Sequence, residues 1–253
     1  MDNQLIFNFK TDISEFNLPL QLNNPFGLHV PEIAKIAATE FQTHISSESS
    51  KWNYDFHKKR GKMFGVLVIQ QSDYSYNYLG AVSGKLPARA SWDRLVPSVF
   101  DESAGDFFIN KGMTELTEIG TKIKKTINDS EINTLKEIRK LKSIALQQRL
   151  FEHYRFVNLS GTEKNLIDIF KESFNRIPPS AAGECAAPKL LQYAITNKLK
   201  PIALSEFWWG GSIKYKDKEH CAFYPACTDK CRPILEYMLE DADLYIKSTD
   251  SSS

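Results

Sequence analysis

All four cysteines of this chain, Cys185, Cys221, Cys227 and Cys231, lie in its last third, and the first 184 residues hold none. Thiols gathered this way in a reducing compartment are not expected to pair as disulfides. They either pack singly as small apolar groups or meet around a metal, and the second choice forces distant segments together. A reducing compartment is the expectation because Met1 to Lys10 lacks a positive flank followed by an apolar core of signal-peptide length. The best later apolar run, Phe64 to Ile69, falls far short of the roughly 20 residues a membrane span needs. The chain therefore reads as cytoplasmic, with no membrane partner. With 32 basic and 31 acidic residues the net charge is +1, so no global field draws nucleic acid, and any RNA contact has to come from a local patch. At 253 residues, 42% hydrophobic and 25% charged, the composition fits one large globular domain or two small ones, and excludes a collagen, a coiled-coil rod or a wholly disordered chain.

Residues 1–30, broken by Pro19, Pro25 and Gly27, read as an irregular arm. Pro31 opens a helix in which Ile33, Ile36, Ala37 and Phe41 recur at helical spacing. Met63 to Gln70 and Tyr78 to Gly84 are apolar runs separated by a polar turn, which predicts a β-hairpin; helix and hairpin make a first core segment over 31–106. Over 107–176 the composition turns charged, with Ile132, Leu135, Ile138, Leu141 and Ala145 as one narrow stripe, and this predicts a long helical insert ending in a short helix over 165–174. The segment 177–245 predicts a second core part: a loop through Gly183, a helix from Ala186 to Asn197, a strand from Ile202 to Trp209, and a last helix carrying Cys231, Pro233, Leu235 and Leu239. Residues 246–253 read as a disordered Ser-rich tail.

Cys227 and Cys231 are four residues apart, and a helical turn puts such sulfurs on one side. Cys185 stands at the start of the preceding helix, where exposed amides and the helix dipole favour a thiolate. If the two helices flank the intervening strand, their starts share one end of the sheet and the three thiolates converge. Three protein ligands with an open position describe a hydrolytic zinc site, and four describe a structural one. Cys221 and His220 are the candidates for a fourth ligand, with water as the other choice, while Cys221 beside Phe223 and Tyr224 also fits simple packing.

The order helix, hairpin, insert, Cys185 helix, strand, Cys227–Cys231 helix resembles the zinc-dependent nucleobase deaminase fold, a three-layer α/β core. In that family a Glu two residues after the first ligand shuttles protons. Ala187 holds that position here, and Glu184, one residue before the ligand, is the substitute catalytic candidate. A longer resemblance runs through Gly61 to Val68, Leu79 to Leu86, Val96 to Asp101, Gly183 to Leu191, Ser205 to Gly210 and Phe223 to Cys227. These blocks are similar to the N-terminal region of long-form bacterial RluA-type pseudouridine synthases, where a synthase domain follows. That family's catalytic Asp lies in an Arg-Leu-Asp string. Arg94-Leu95-Val96 and Arg149-Leu150-Phe151 are the nearest strings here, and neither supplies the Asp.

The resemblance implies a role in RNA modification, with RNA and a synthase domain in cis or in trans as partners, but no isomerase site in this chain. A P-loop and a Gly-x-Ser-x-Gly elbow are both missing from the sequence. Lys136 to Lys142 and Lys58 to Lys62 are small basic clusters that could touch phosphate but read first as solvated faces. The combined expectation is an α/β deaminase-like core with a helical insert and zinc on Cys185, Cys227 and Cys231. It serves as a positioning module for RNA pseudouridylation. Zinc-assisted deamination using Glu184 and a structural zinc domain that binds protein are the alternatives.

Overall fold

The computed structural model describes residues 3–48, 51–52, 54–58, 61–84, 94–100, 102–211 and 217–240. Two long apolar stretches become neighbouring strands at the middle of a sheet. Strand β2 (Lys62–Gln70) pairs antiparallel with the hairpin partner β3 (Tyr76–Val82) on one side and with β6 (Lys200–Trp209) on the other. Phe64 lies opposite Phe207 and Leu67 opposite Leu204, with a register shift after Val68. Strands β1 (Ile6–Asn8) and β7 (Phe223–Tyr224) complete the order β1-β3-β2-β6-β7, and each of these pairings is antiparallel. The first thirty residues are thus not wholly irregular, because β1 adds an edge strand to β3. The sequence hid β1 and β7 for the same reason: strands of three and two residues show no period.

Both faces of the sheet are covered, which is why its central strands read as near-continuous apolar runs. On one face, helix α1 (Glu32–Glu48) buries Ile33, Ala34, Ala37, Ala38, Phe41 and Ile45 against Phe64, Val66, Val68, Tyr78 and Phe207. The i, i+3, i+4 spacing makes that stripe, and burying the Phe41 side chain alone contributes roughly 1.5–3 kcal/mol. Gly80 permits the approach, since a Cβ there would lie 2.3 Å from the Phe41 ring. On the opposite face, α5 (Ala186–Thr196), α4 (Leu166–Phe174) and α6 (Arg232–Met238) share a second core with Leu67, Ile69, Leu79, Ala81 and Leu204. Gly65 has the matching role there, with Ala186 and Leu190 each 3.1 Å from where its Cβ would stand. The architecture is a mixed α/β domain of six helices and a mainly antiparallel sheet among the described residues.

Helices α2 (Glu102–Lys125) and α3 (Asp129–Glu152) form the expected insert as an antiparallel hairpin. Asn128 caps α3, its side chain accepting from the Glu131 amide at 3.1 Å. The stripe read from the sequence is only partly the seam. Ile132 and Leu135 are half-buried, but Ile138, Leu141 and Ala145 are exposed, and Leu146 instead packs over Gly112. One narrow stripe on a mostly polar helix leaves its phase ambiguous, and packing chose a neighbouring row. A ribbon of β4 (Arg155–Val157) and β5 (Glu163–Asn165), not expected from the sequence, carries the chain back to α4. No described helix is long and apolar enough to cross a membrane. The expected tail, 246–253, and part of the Lys58 to Lys62 cluster lie outside the described residues.

Candidate metal centre

Cys185 is the N-cap of α5, in extended backbone, and its sulfur makes no capping bond to that helix. Gly183 delivers it there with φ +88°, a left-handed conformation glycine adopts at no steric cost, and a Cβ would meet the Tyr154 ring at 2.7 Å. Cys231 is the N-cap of α6 and is fully buried, and Cys227 lies in the exposed turn before it. The amide of Ala226 donates to the Pro25 carbonyl at 2.8 Å, so the arm fixes the turn that carries Cys227. Helices α5 and α6 pack together on one face of the sheet, and the three sulfurs lie within 4.8 Å of one another. Cys227 and Cys231 are 3.3 Å apart. A zinc ion held at about 2.3 Å by three sulfurs of a tetrahedron needs them about 3.8 Å apart, so this donor set fits with shifts of a few tenths of an ångström to about 1 Å.

The electrostatics of the triad make one thiolate and two thiols. Hydrogen bonds from Cys185 and Cys231, then from the Lys230 and Cys231 amides, hold Cys227 far below the usual thiol range. Sharing that network pushes Cys185 and Cys231 up, and burial adds to both. A metal takes the place of those two protons, since thiolate is the form that binds.

The predicted fourth ligands go elsewhere. Cys221 packs with Phe223 on the α1 face of the sheet, its amide donating to the Trp208 carbonyl at 2.7 Å. His220 Nδ1 accepts from the Gly210 amide at 3.0 Å, and its ring lies 4.4 Å from Trp209 and 4.8 Å from His57. Among the described residues only Cys185, Cys227 and Cys231 form such a group.

Glu184, the catalytic candidate of the sequence, is occupied. Its carboxylate pairs with the buried Lys189 ammonium at 3.1 Å and accepts from the Tyr154 hydroxyl and from Ser98 Oγ at 3.3 Å. Lys189 also donates to the Val82 and Gly84 carbonyls. This is a buried pair, with a partner on each carboxylate oxygen, that ties α5 to β3.

A second carboxylate stands beside the triad and escaped the sequence reading. Glu206, in the middle of β6 between Gly65 and Tyr224, is 6% exposed. Its Oε1 accepts from the Ala187 amide in the first turn of α5 at 3.2 Å. Burial raises its pKa to about 7; the Ala187 bond opposes this and the Cys227 thiolate adds to it. The signal was available, because a carboxylate inside an otherwise mostly apolar central strand is costly unless it has a task. The basic run of α3 is mostly engaged: Lys142 bonds Glu115, Lys140 pairs with Glu137 and Arg139 donates to the Leu116 carbonyl. Trp208 and Trp209 are both core.

The fold and the triad define a mixed α/β domain with a three-cysteine cluster at metal-binding distance. No protein-family model matches the chain, and neither a curated protein nor a solved structure matches it.

Proposed function

We propose that this chain is a zinc-binding module of RNA modification, holding the ion on Cys185, Cys227 and Cys231 and acting beside a pseudouridine synthase domain rather than as the isomerase. The observation that carries the metal is the meeting of three sulfurs from two helix starts, all within 4.8 Å of one another. Soft thiolate donors in a tetrahedral arrangement suit zinc above the harder divalent ions. The synthase association rests on the ordered sequence blocks from Gly61 to Cys227. Deamination through Glu184 is the weaker reading, because Lys189, Tyr154 and Ser98 already hold that carboxylate.

Elemental analysis of the chain purified without chelator tests the metal. One zinc per chain is expected, lost in Cys185→Ser or Cys231→Ser and kept in Cys221→Ser. A metal-free wild type that takes up none on titration refutes the site. For the RNA role, retention on ribosomal RNA that falls with Lys136→Glu and Lys140→Glu places contact on the insert. Retention that survives both removes the insert, and no retention at all, alone or with a synthase domain, removes the RNA reading.

A further inference from the structure

We infer that Cys227 and Cys231 are an oxidation site: a hydroperoxide closes them into a disulfide, and that closure ejects the metal. The ejection rests on the zinc reading; the closure does not. All four cysteines are free thiols in the structure, but they differ in reach and in neighbours. Cys227 is exposed, and its sulfur lies 3.3 Å from that of Cys231, which is 1% exposed. A disulfide holds its sulfurs about 2.05 Å apart, so closure asks for about 1.3 Å of movement. An accessible thiol that meets the oxidant, beside a sheltered one that resolves it, is the pairing that reversible redox sites use. Cys221 is the contrast, since it packs on the α1 face of the sheet, outside the group of three.

The third sulfur is near but less able to move. Cys185 lies within 4.8 Å of both others, yet it stands between two anchored residues. The Glu184 carbonyl accepts from the Gly84 amide at 2.6 Å, and the Ala186 amide donates to Ser83 Oγ at 3.1 Å. Cys227 instead leads into the turn 228–231, where Thr228 and Asp229 are exposed. Only the residue before it is tied, through the Ala226 amide and the Pro25 carbonyl. A shift of that surface turn joins Cys227 to Cys231 while Cys185 stays in place.

The steps balance in atoms and electrons. The Cys227 thiolate attacks one oxygen of the hydroperoxide, the O–O bond breaks, and the departing alkoxide or hydroxide takes up the proton that the thiol gave up. Cys227 is then a sulfenic acid. The Cys231 sulfur attacks it, the S–O bond breaks, and hydroxide leaves with the Cys231 proton as water. Two thiols have together lost two electrons to one hydroperoxide. The bridged sulfurs no longer carry the charge that binds zinc, which leaves Cys185 as the one thiolate ligand.

Hydrogen peroxide is the probe, on the full-length chain. In the reduced, metal-free protein it should lower the four free thiols to two, and a dithiol reductant should restore both. Trypsin cuts after Lys230, so the peptides carrying Cys227 and Cys231 stay joined only when bridged. Cys185→Ser should form the same bridge, and Cys227→Ser, a change at an exposed position, should leave Cys231 reduced. A main product bridged to Cys185, oxidation that stops on Cys227 alone, or thiols that stay reduced overturns the site. In the zinc-loaded protein, a colorimetric chelator should read one zinc released per bridge formed. The bridged chain should bind zinc more weakly by over the roughly 100-fold that losing an outer-shell partner costs at most. Zinc that stays on the bridged chain overturns the ejection. A reduced chain that takes up no zinc overturns the metal reading and the ejection with it, while the thiol count still decides the bridge.

Discussion

Replacing Glu206 by Gln should stabilise the metal-free protein at alkaline pH and leave it unchanged at acid pH. The carboxyl binds its proton more tightly in the folded chain than in the unfolded one, with a pKa raised from 4.5 to about 7. Its contribution to stability is therefore fully present below about pH 4.5 and is lost as pH rises to about 7, at a total cost of about 3 kcal/mol. Gln keeps an oxygen for the Ala187 amide and carries no charge, so it resembles the protonated Glu. Wild type alone will not display this slope, because Cys227 acts in the opposite direction. Its depressed pKa adds stability as pH rises towards the thiol's ordinary range of about 9. The difference between the two proteins isolates Glu206. Urea unfolding of both, in chelator and reductant, at pH 4, 5, 6, 7 and 8 should give a gap of about 0.2 kcal/mol at pH 4 and about 0.8 kcal/mol at pH 5 that grows to about 3 kcal/mol in favour of Gln at pH 8. A gap that is independent of pH, or a Gln variant that is less stable at pH 8, refutes the claim that an uncompensated charge is buried there.

Lys189→Met strands the Glu184 carboxylate in the core and should cost about 3–5 kcal/mol by urea unfolding, while adding Glu184→Gln recovers most of the loss. Gly80→Ala drives a methyl into the Phe41 ring and should cost about 1–3 kcal/mol, read as a lowered Tm; a Phe41→Leu background should shrink the effect. Asn128→Ala removes the cap of α3 and should weaken the insert by about 1 kcal/mol, visible as faster amide exchange in the first turn of that helix.

Much of the core was legible because its signals are local. Pro31 and the Ile33, Ala37, Phe41 spacing give α1; the apolar runs around Val66 and Leu204 give the central strands; Cys185 sits where the reading of a helix start put it. What escaped was decided by contacts remote in sequence. Strand β1 exists because β3 offers it an edge, and the row of α3 that faces α2 was settled by Gly112 meeting Leu146.

The two carboxylates show the same limit at the site. Glu184 and Glu206 are both single acids in mostly uncharged stretches, and the sequence favoured Glu184 for its place next to a ligand. Its neutralising partner, Lys189, is only five residues away and a turn further along α5, so the pairing was in reach of helical spacing. Among the described residues Glu206 makes no ion pair, and the cation that opposes its raised pKa, Lys218, is twelve residues on, and that is what separates the two. Counting which buried charges have a partner one helical turn away would have turned attention from Glu184 to Glu206 before any coordinates. By that reasoning Glu206, its pKa raised to about 7 by burial, is the carboxylate whose charge the fold resists, and the pH-dependent gap between wild type and Glu206→Gln is where that resistance is read.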